Sequence, residues 1–191
     1  MKIQVNSLCF ALCLSLSTIA IVVTSIGCAG NRHDRSTGEY IDDKSLQLRV
    51  SSALSDNPDY KFEGVNIAVF KGTVQLSGFV DLSAQKSKAS DIAQQIQGVK
   101  VVVNNITVKD QNNRNPQEYD DDKTMTARVK SALGNNPDYK FEEVNVTAFK
   151  GTVQLSGFVN TADQKSRAGD LAKQVIGVKD VVNNITAKDK M

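Results

Sequence analysis

The chain has few side chains that could carry out catalysis or hold a metal. It contains one histidine, His33, and no Gly-x-Ser-x-Gly, His-Glu-x-x-His or glycine-rich phosphate-binding motif. A Ser-His-Asp or Cys-His site therefore cannot be assembled. Two aspartate pairs, Asp42-Asp43 and Asp121-Asp122, fit helix N-termini better than a cation cage. The sequence thus predicts a protein that is not an enzyme and that uses no cofactor and no metal.

Cys28 is the residue whose position does indicate chemistry. It ends an N-terminal segment in which Lys2 is followed by a long apolar run and then by small residues, the order of a secretory signal. Gly27-Cys28 resembles the lipobox of bacterial lipoproteins, in which the cysteine is acylated with palmitate or a similar chain. Ser25 departs from that motif, which usually has Leu, Val or Ile at this position. Cleavage after Ala29 and an uncleaved anchor are the alternatives.

The other cysteines support the same interpretation. Cys9 and Cys13 lie inside the apolar run, so only Cys28 would remain after export, and no disulfide framework is possible. Acylation explains a lone cysteine in an exported protein more simply than a free thiol or a metal site. By the lipoprotein resemblance, Ala29 after the cysteine implies sorting to the outer membrane. We therefore expect a lipid-anchored protein at the periplasmic face of the outer membrane, with a soluble periplasmic protein as the alternative.

Most of the remaining chain is a duplication. The stretch from Lys44 to Asp110 recurs from Lys123 to Asp189 at a fixed offset of 79 positions and without a gap. This period exceeds the roughly 20 to 50 residues of solenoid repeats, so each copy should be a small domain, and a domain of this size is marginal alone. We predict a signal peptide over 1–28, a tether over 29–41, module 1 over 42–110, a linker over 111–120 and module 2 over 121–189.

Each module is predicted to contain two helices. The first begins at the aspartate pair and ends before Asn-Pro, because the residue preceding a proline avoids the α region. The second runs from about Ser83 to Gln97 in module 1. Apolar residues of the first helix recur at i, i+4, i+7 and i+8, which predicts a core-facing stripe. The stripe consists of Leu46, Val50, Ala53 and Leu54 in module 1 and of Met125, Val129, Ala132 and Leu133 in module 2.

Three strands complete the module. Apolar residues alternate with polar or small ones from Val65 to Val69 and again from Val74 to Val80, and Lys71-Gly72 makes a tight turn between them. A last strand is predicted from Val99 to Val108. The order of elements in each module is therefore αββαβ.

Four glycines are assigned structural roles. Gly78 and Gly157 stand in the middle of a predicted strand, where glycine weakens a sheet and so marks the close approach of another segment. Gly98 and Gly177 close the second helices.

Two spaced motifs now identify a family resemblance. Val-x-Leu-x-Gly-x-Val over 74–80 and 153–159, followed by Gly-Val-x-x-Val-x-Asn-x-Ile over 98–106 and 177–185, resembles the BON (bacterial OsmY and nodulation) domain. The resemblance covers both modules, and an export signal before two such domains is similar to the layout of periplasmic and outer-membrane members of the family. It implies an α+β fold in which each module is a three-stranded mixed sheet packed by two helices on one face.

The resemblance also implies a function at the bacterial envelope, with anionic phospholipid as the ligand and envelope integrity or osmotic-stress tolerance as the role. Lys44 to Asp110 has 8 basic and 6 acidic residues, and Lys123 to Asp189 has 10 and 7. This excess is too small for nucleic acid, but cations gathered on one face add about 1 kcal/mol each near an anionic bilayer. The lipid-binding candidates are Lys123, Ala127, Arg128, Lys130, Tyr139 and Lys140.

The six candidates lie off the core stripe of the first helix of module 2 or in the loop after it, so their side chains are predicted to face solvent. Module 1 has Ser51 where module 2 has Lys130, so module 2 is the favoured lipid-binding copy. The alternative is that the cations simply line a solvated helix edge and that Tyr139 caps its own domain.

The hairpin face opposite the predicted core carries aromatic residues, Phe70 and Phe79 in module 1 and Phe149 and Phe158 in module 2. Exposed aromatics on a sheet need a partner, so we expect them either between the modules or against another copy of the protein, unless neighbouring loops shield them. The alternative to lipid binding is a soluble periplasmic stress protein, a holdase or envelope-assembly partner, that binds proteins through these sheet surfaces.

Overall fold

The computed structural model describes residues 35–110 and 116–190; the signal segment with Cys28, His33 and the first half of the predicted linker lie outside the described residues. Module 1 contains α1 (Thr37–Ser55), β1 (Val65–Phe70), β2 (Thr73–Val80), α2 (Ser83–Gln94) and β3 (Val101–Val108). Module 2 contains α3 (Pro116–Gly134), β4 (Val144–Phe149), β5 (Thr152–Val159), α4 (Ala162–Lys173) and β6 (Asp180–Ala187), followed by a short 3-10 helix over Lys188–Lys190.

Each module has a three-stranded mixed sheet, which confirms the predicted fold class. In module 1 the order is β1-β2-β3, with β1 antiparallel and β3 parallel to the central β2; β4-β5-β6 repeats this arrangement. The parallel pair is joined through α2 or α4, as a parallel connection requires. Lys71 and Gly72 both have positive φ, 49° and 80°, as expected for the two central residues of a tight hairpin turn.

The two helices of each module cover one face of its sheet. In module 1 the core comprises the predicted stripe residues Leu46, Val50 and Leu54 with the inward residues of the strands, and Val50 and Leu76 are fully buried. In module 2 Val129 and Leu155 occupy the matching positions and are equally buried. Three of the four predicted stripe residues are therefore core in each module, whereas Ala53 and Ala132 are only half-buried.

The start of the first helix was predicted wrongly. α1 begins at Thr37, because the Ser36 hydroxyl accepts a hydrogen bond from the Glu39 N–H (3.2 Å) while the Glu39 carboxylate accepts one from the Ser36 N–H (2.9 Å). This is a capping box, and the bonds from the Ser36 backbone and side chain lower the pKa of Glu39. α3 likewise begins before its aspartate pair, at Pro116.

The second residue of each aspartate pair was predicted to cap its helix, but its side chain binds the hairpin turn instead. Asp43 is 4% exposed, and its carboxylate accepts hydrogen bonds from the backbone N–H groups of Lys71 (2.8 Å) and Gly72 (3.0 Å). Asp122 does the same for Lys150 (2.8 Å) and Gly151 (3.1 Å). These aspartates tie the first helix to the hairpin turn.

Two smaller boundaries also differ from the prediction. α2 ends at Gln94, three residues before Gln97, and β3 begins at Val101 rather than Val99. Between them Gly98 has a φ of +97°, and Gly177 has +95° in module 2, so both glycines lie in the loop after the helix in a conformation that glycine adopts without strain.

The mid-strand glycines are explained by a close backbone approach, as predicted. Gly78 and Gly157 have φ of +113° and +117°, and a Cβ at either position would overlap the carbonyl oxygen of Gly64 or Glu143 respectively. Any side chain here would push the start of β1 or β4 away from its neighbour. The close approach gives a physical reason for glycine at both positions, and its effect on stability stays a prediction.

The second face of each sheet packs against the other module. Phe70 lies against Phe158, with ring centroids 5.5 Å apart, and Phe79 lies against Phe149 at 5.4 Å. The two pairs exchange under the 79-residue offset, so the modules are related by an approximate two-fold axis. The predicted aromatic contact between modules is confirmed.

Polar side chains near this axis are fully engaged across the interface. The Ser77 and Ser156 hydroxyls are 2.6 Å apart. The Gln75 amide donates to the carbonyl of Asn184 (2.6 Å) and accepts from the N–H of Gly157 (2.6 Å), and Gln154 makes the reciprocal pair with module 1. The resulting architecture has four layers. α1 and α2 form one outer layer, the two sheets form the two inner layers, and α3 and α4 form the other outer layer.

Candidate functional site

The predicted lipid-binding residues on α3 all face solvent. Met125, Val129 and Leu133 turn into the core of module 2, so the residues between them turn outward, as the helical period requires. Lys123, Ala127, Arg128 and Lys130 are all exposed. The outer surface of α3 is therefore available to a partner.

Lys130, Tyr139 and Lys140 line one hollow of about 280 Å³ at the end of α3. Tyr139 is held there because the Asn136 side-chain oxygen accepts its backbone N–H (2.8 Å). Its ring is half-buried and lies 6.3 Å from the ring of Phe141. The floor of the hollow is apolar and is formed by Leu133, Phe141, Val144 and Val146. Two ammonium groups and a phenol thus surround an apolar floor, although Glu142 also reaches the rim.

The other candidates lie elsewhere. Arg128 borders a hollow of about 240 Å³ at the hairpin end of module 2, which Lys150, Lys179 and Ile176 also line together with acidic residues of α3. Lys123 borders a third hollow, of about 260 Å³, between the modules beside Phe79 and Phe149. The structure thus brings three of the six candidates together, places Arg128 and Lys123 at two other hollows and leaves Ala127 on the exposed face of α3, and the role of all six stays a prediction.

Module 1 offers a weaker version of this surface. Arg49, the counterpart of Arg128, donates to the backbone carbonyl of Gln97 (2.9 Å), which holds the guanidinium against its own module. Ser51 replaces Lys130, so the matching rim loses a cation. That module 2 is the favoured lipid-binding copy stays a prediction.

Ile176 was missed by the sequence analysis. It is 83% exposed, the most exposed of the large apolar side chains in the described part of the chain, and it stands next to Lys179 on the rim of the Arg128 hollow. A comparison of the two copies would have found it, because module 1 has Gln97 at the same position.

Within the described residues, no group of three or more His, Cys, Asp or Glu side chains could hold a metal ion. Over the same ranges, no helix combines the length and the apolar character that crossing a bilayer requires.

The αββαβ modules, the Gly-containing hairpin and the paired sheets define a class of small α+β domains, and comparison with known proteins specifies the family. The sequence profile of the BON domain matches residues 42–110 and 121–189. The chain belongs to the BON domain family, with two copies of the domain.

Three relatives share most of this length. The Osmotically-inducible protein Y of Escherichia coli K12 is 32% identical over 84% of this chain and 81% of its own. The Outer membrane lipoprotein DolP of Haemophilus influenzae is 34% identical over 78% and 76%. The 21 kDa hemolysin of Actinobacillus pleuropneumoniae is 30% identical over 79% and 77%.

Proposed function

We propose that this chain is a periplasm-facing envelope lipoprotein that is anchored through Cys28, binds anionic phospholipid through module 2, and supports envelope integrity or osmotic-stress tolerance. The export-type N-terminus and the relatives named for osmotic induction and for the outer membrane support the location. Anionic phospholipid membrane is the partner in this proposal, and neither nucleic acid nor a cofactor is involved.

The observation that carries the lipid assignment is the hollow of Lys130, Tyr139 and Lys140. Ammonium groups at its rim match the phosphates of an anionic headgroup, and the half-buried Tyr139 has the amphipathic character of residues at a membrane interface. The apolar floor can accept the upper part of an acyl chain. The cationic rim and the apolar floor of this hollow therefore both favour an anionic phospholipid.

The alternative function, a holdase, requires exposed sheet surfaces, and in the described residues both faces of each sheet are covered. One face of each sheet is covered by its own helices and the other by the opposite module, so the aromatic residues that would have bound unfolded proteins are buried. Within the described residues, a protein partner could therefore bind only helix surfaces and strand edges.

The test is vesicle flotation with a chain that begins at residue 29. All described core contacts lie within residues 35–190, so this chain keeps the fold. Lys130→Glu with Lys140→Glu should weaken binding to phosphatidylglycerol vesicles by at least about 30-fold, because two cations contribute roughly 1 kcal/mol each and 1.4 kcal/mol corresponds to tenfold. Added salt should weaken binding by the unchanged chain.

The matched control is module 1, in which Ser51→Glu with Lys61→Glu changes the equivalent positions. This variant should lose clearly less affinity. Equal losses from the two modules, or binding that ignores vesicle charge, would reject the module 2 assignment and favour a protein partner.

A further inference from the structure

The outward face of α1 differs from that of α3 in its two largest side chains. Ile41 and Leu48 are 61% and 69% exposed, and their spacing of seven residues places them on one line along the helix. The matching residues of α3 are Asp120 and Ala127. The other outward residues of α1 are exposed and uncharged, namely Thr37, Ser45, Ser52 and Ser55. Module 1 therefore presents an uncharged stripe with two large aliphatic residues.

The flanks of this stripe carry residues that suit a bilayer interface. Tyr40 is 45% exposed, and the Lys44 ammonium lies 5.5 Å from the centre of its ring. Arg49 stands on the other flank, where the exposed carboxylates of Glu39 and Asp42 also lie. Aliphatic side chains bordered by tyrosine and long cationic side chains are typical of helices that lie in the interfacial region of a bilayer. Two aliphatic residues and a tyrosine fall far short of the roughly 800 Å² per partner of a stable protein interface, so a second copy fits this face less well.

The connection to the N-terminus keeps the start of α1 close to the bilayer that would hold the anchor. The Arg35 side chain is 8% exposed; its guanidinium donates to the Asp43 carboxylate (3.2 Å) and the Val69 carbonyl (3.3 Å) and pairs with Glu143 of module 2. The chain is thus fixed to the body at Arg35. Arg35 follows Cys28 by seven positions, and even a fully extended chain spans only about 25 Å over that length.

We propose that the outer face of α1 rests on the bilayer that holds the N-terminal anchor, with Ile41 and Leu48 entering its interfacial region. This inference rests on the anchoring at Cys28 in the proposed function. Because α1 and α3 lie on opposite outer layers, the exposed face of α3 that carries Asp120 and Ala127 then points away from that bilayer.

The test places a fluorophore at equivalent points of the two helices. The full chain is isolated from bacterial membranes and reconstituted into phosphatidylcholine–phosphatidylglycerol vesicles that contain a nitroxide-labelled quencher lipid. Ile41→Cys and Leu48→Cys are compared with Asp120→Cys and Ala127→Cys, and the chain without an added cysteine gives the background. Labels at 41 and 48 should be quenched as for groups about 5 to 10 Å below the headgroup boundary, whereas labels at 120 and 127 should remain at background.

Each other result is decisive. Quenching at 127 and not at 48 would overturn this inference and place module 2 on the anchoring bilayer, which leaves the proposed function intact. Background signals at all four positions in a chain that floats with the vesicles would overturn the inference alone. A chain that does not float would overturn both the anchoring and this inference.

A second variant ties the effect to the two side chains. Ile41→Asp with Leu48→Ala gives α1 the residues of α3, and a label at Ser45→Cys should lose its quenching in this background. An unchanged circular dichroism spectrum and melting temperature confirm the fold of the variant. Quenching that survives the exchange would overturn the role of Ile41 and Leu48.

Discussion

Removal of the Asp43 carboxylate should destabilise the protein far more than removal of its neighbour Asp42. The Asp43 oxygens accept two backbone N–H groups at the hairpin turn, from Lys71 and Gly72, and a third bond from Arg35. In Asp43→Ala two N–H groups of a buried turn lose their acceptor. Hydrogen bonds to charged groups contribute about 1.5 to 3 kcal/mol each, so we expect a loss of roughly 3 to 5 kcal/mol.

The assay is thermal and urea denaturation of the chain that begins at residue 29, followed by circular dichroism. For a protein of this size 1 kcal/mol shifts Tm by roughly 2 to 4 °C, so Asp43→Ala should melt about 10 °C lower. Asp42 is exposed and lies one residue away, so Asp42→Ala should stay within about 0.5 kcal/mol. Amide exchange at Lys71 and Gly72 should accelerate only in the Asp43 variant. Equal melting temperatures for the two variants, or unchanged exchange at Gly72, would refute the assignment of Asp43 to the turn.

Three further predictions concern the glycines, the interface and the anchor. Gly157→Val should cost more than 1 kcal/mol of unfolding free energy because its Cβ overlaps a strand backbone, whereas Gly134→Ala, which has no neighbour within 4 Å, should not destabilise; equal midpoints would contradict this. Gln154→Leu should cost about 1 to 3 kcal/mol by leaving the Gly78 N–H without its partner inside the interface, and an unchanged urea midpoint would show that the amide is dispensable. Cys28→Ser should abolish incorporation of labelled palmitate; full labelling of that variant would exclude acylation at this residue.

The stability of the whole protein depends on the contact between modules. Each module has its own core under its helices, yet its second sheet face carries phenylalanines and glutamine amides that find their partners only across the two-fold axis. A single module would expose these groups to water or leave buried polar atoms unpaired. We therefore regard residues 35–190 as one folding unit built from two copies of a domain.

The local features of the fold could be predicted from the sequence because they depend on short-range patterns. The stripe around Val50 and Val129 follows from the helical period, and the turn at Lys71-Gly72 follows from the need for two residues of positive φ. The mid-strand position of Gly78 indicated a close approach without naming the partner. The duplication strengthened each of these inferences, because the same pattern occurs in both modules.

What the tertiary structure alone decided is the use of groups that act across long sequence distances. Asp43 was predicted to cap its helix, but the turn 28 residues later binds its carboxylate, and the true cap is a Ser36–Glu39 pair that the predicted tether concealed. Of the six candidate lipid residues only Lys130, Tyr139 and Lys140 share a hollow, while Arg128 and Lys123 border two others. The exposed faces of α1 and α3 lie on opposite sides of the protein because the two sheets pack face to face, and no local pattern in the sequence encodes that relation.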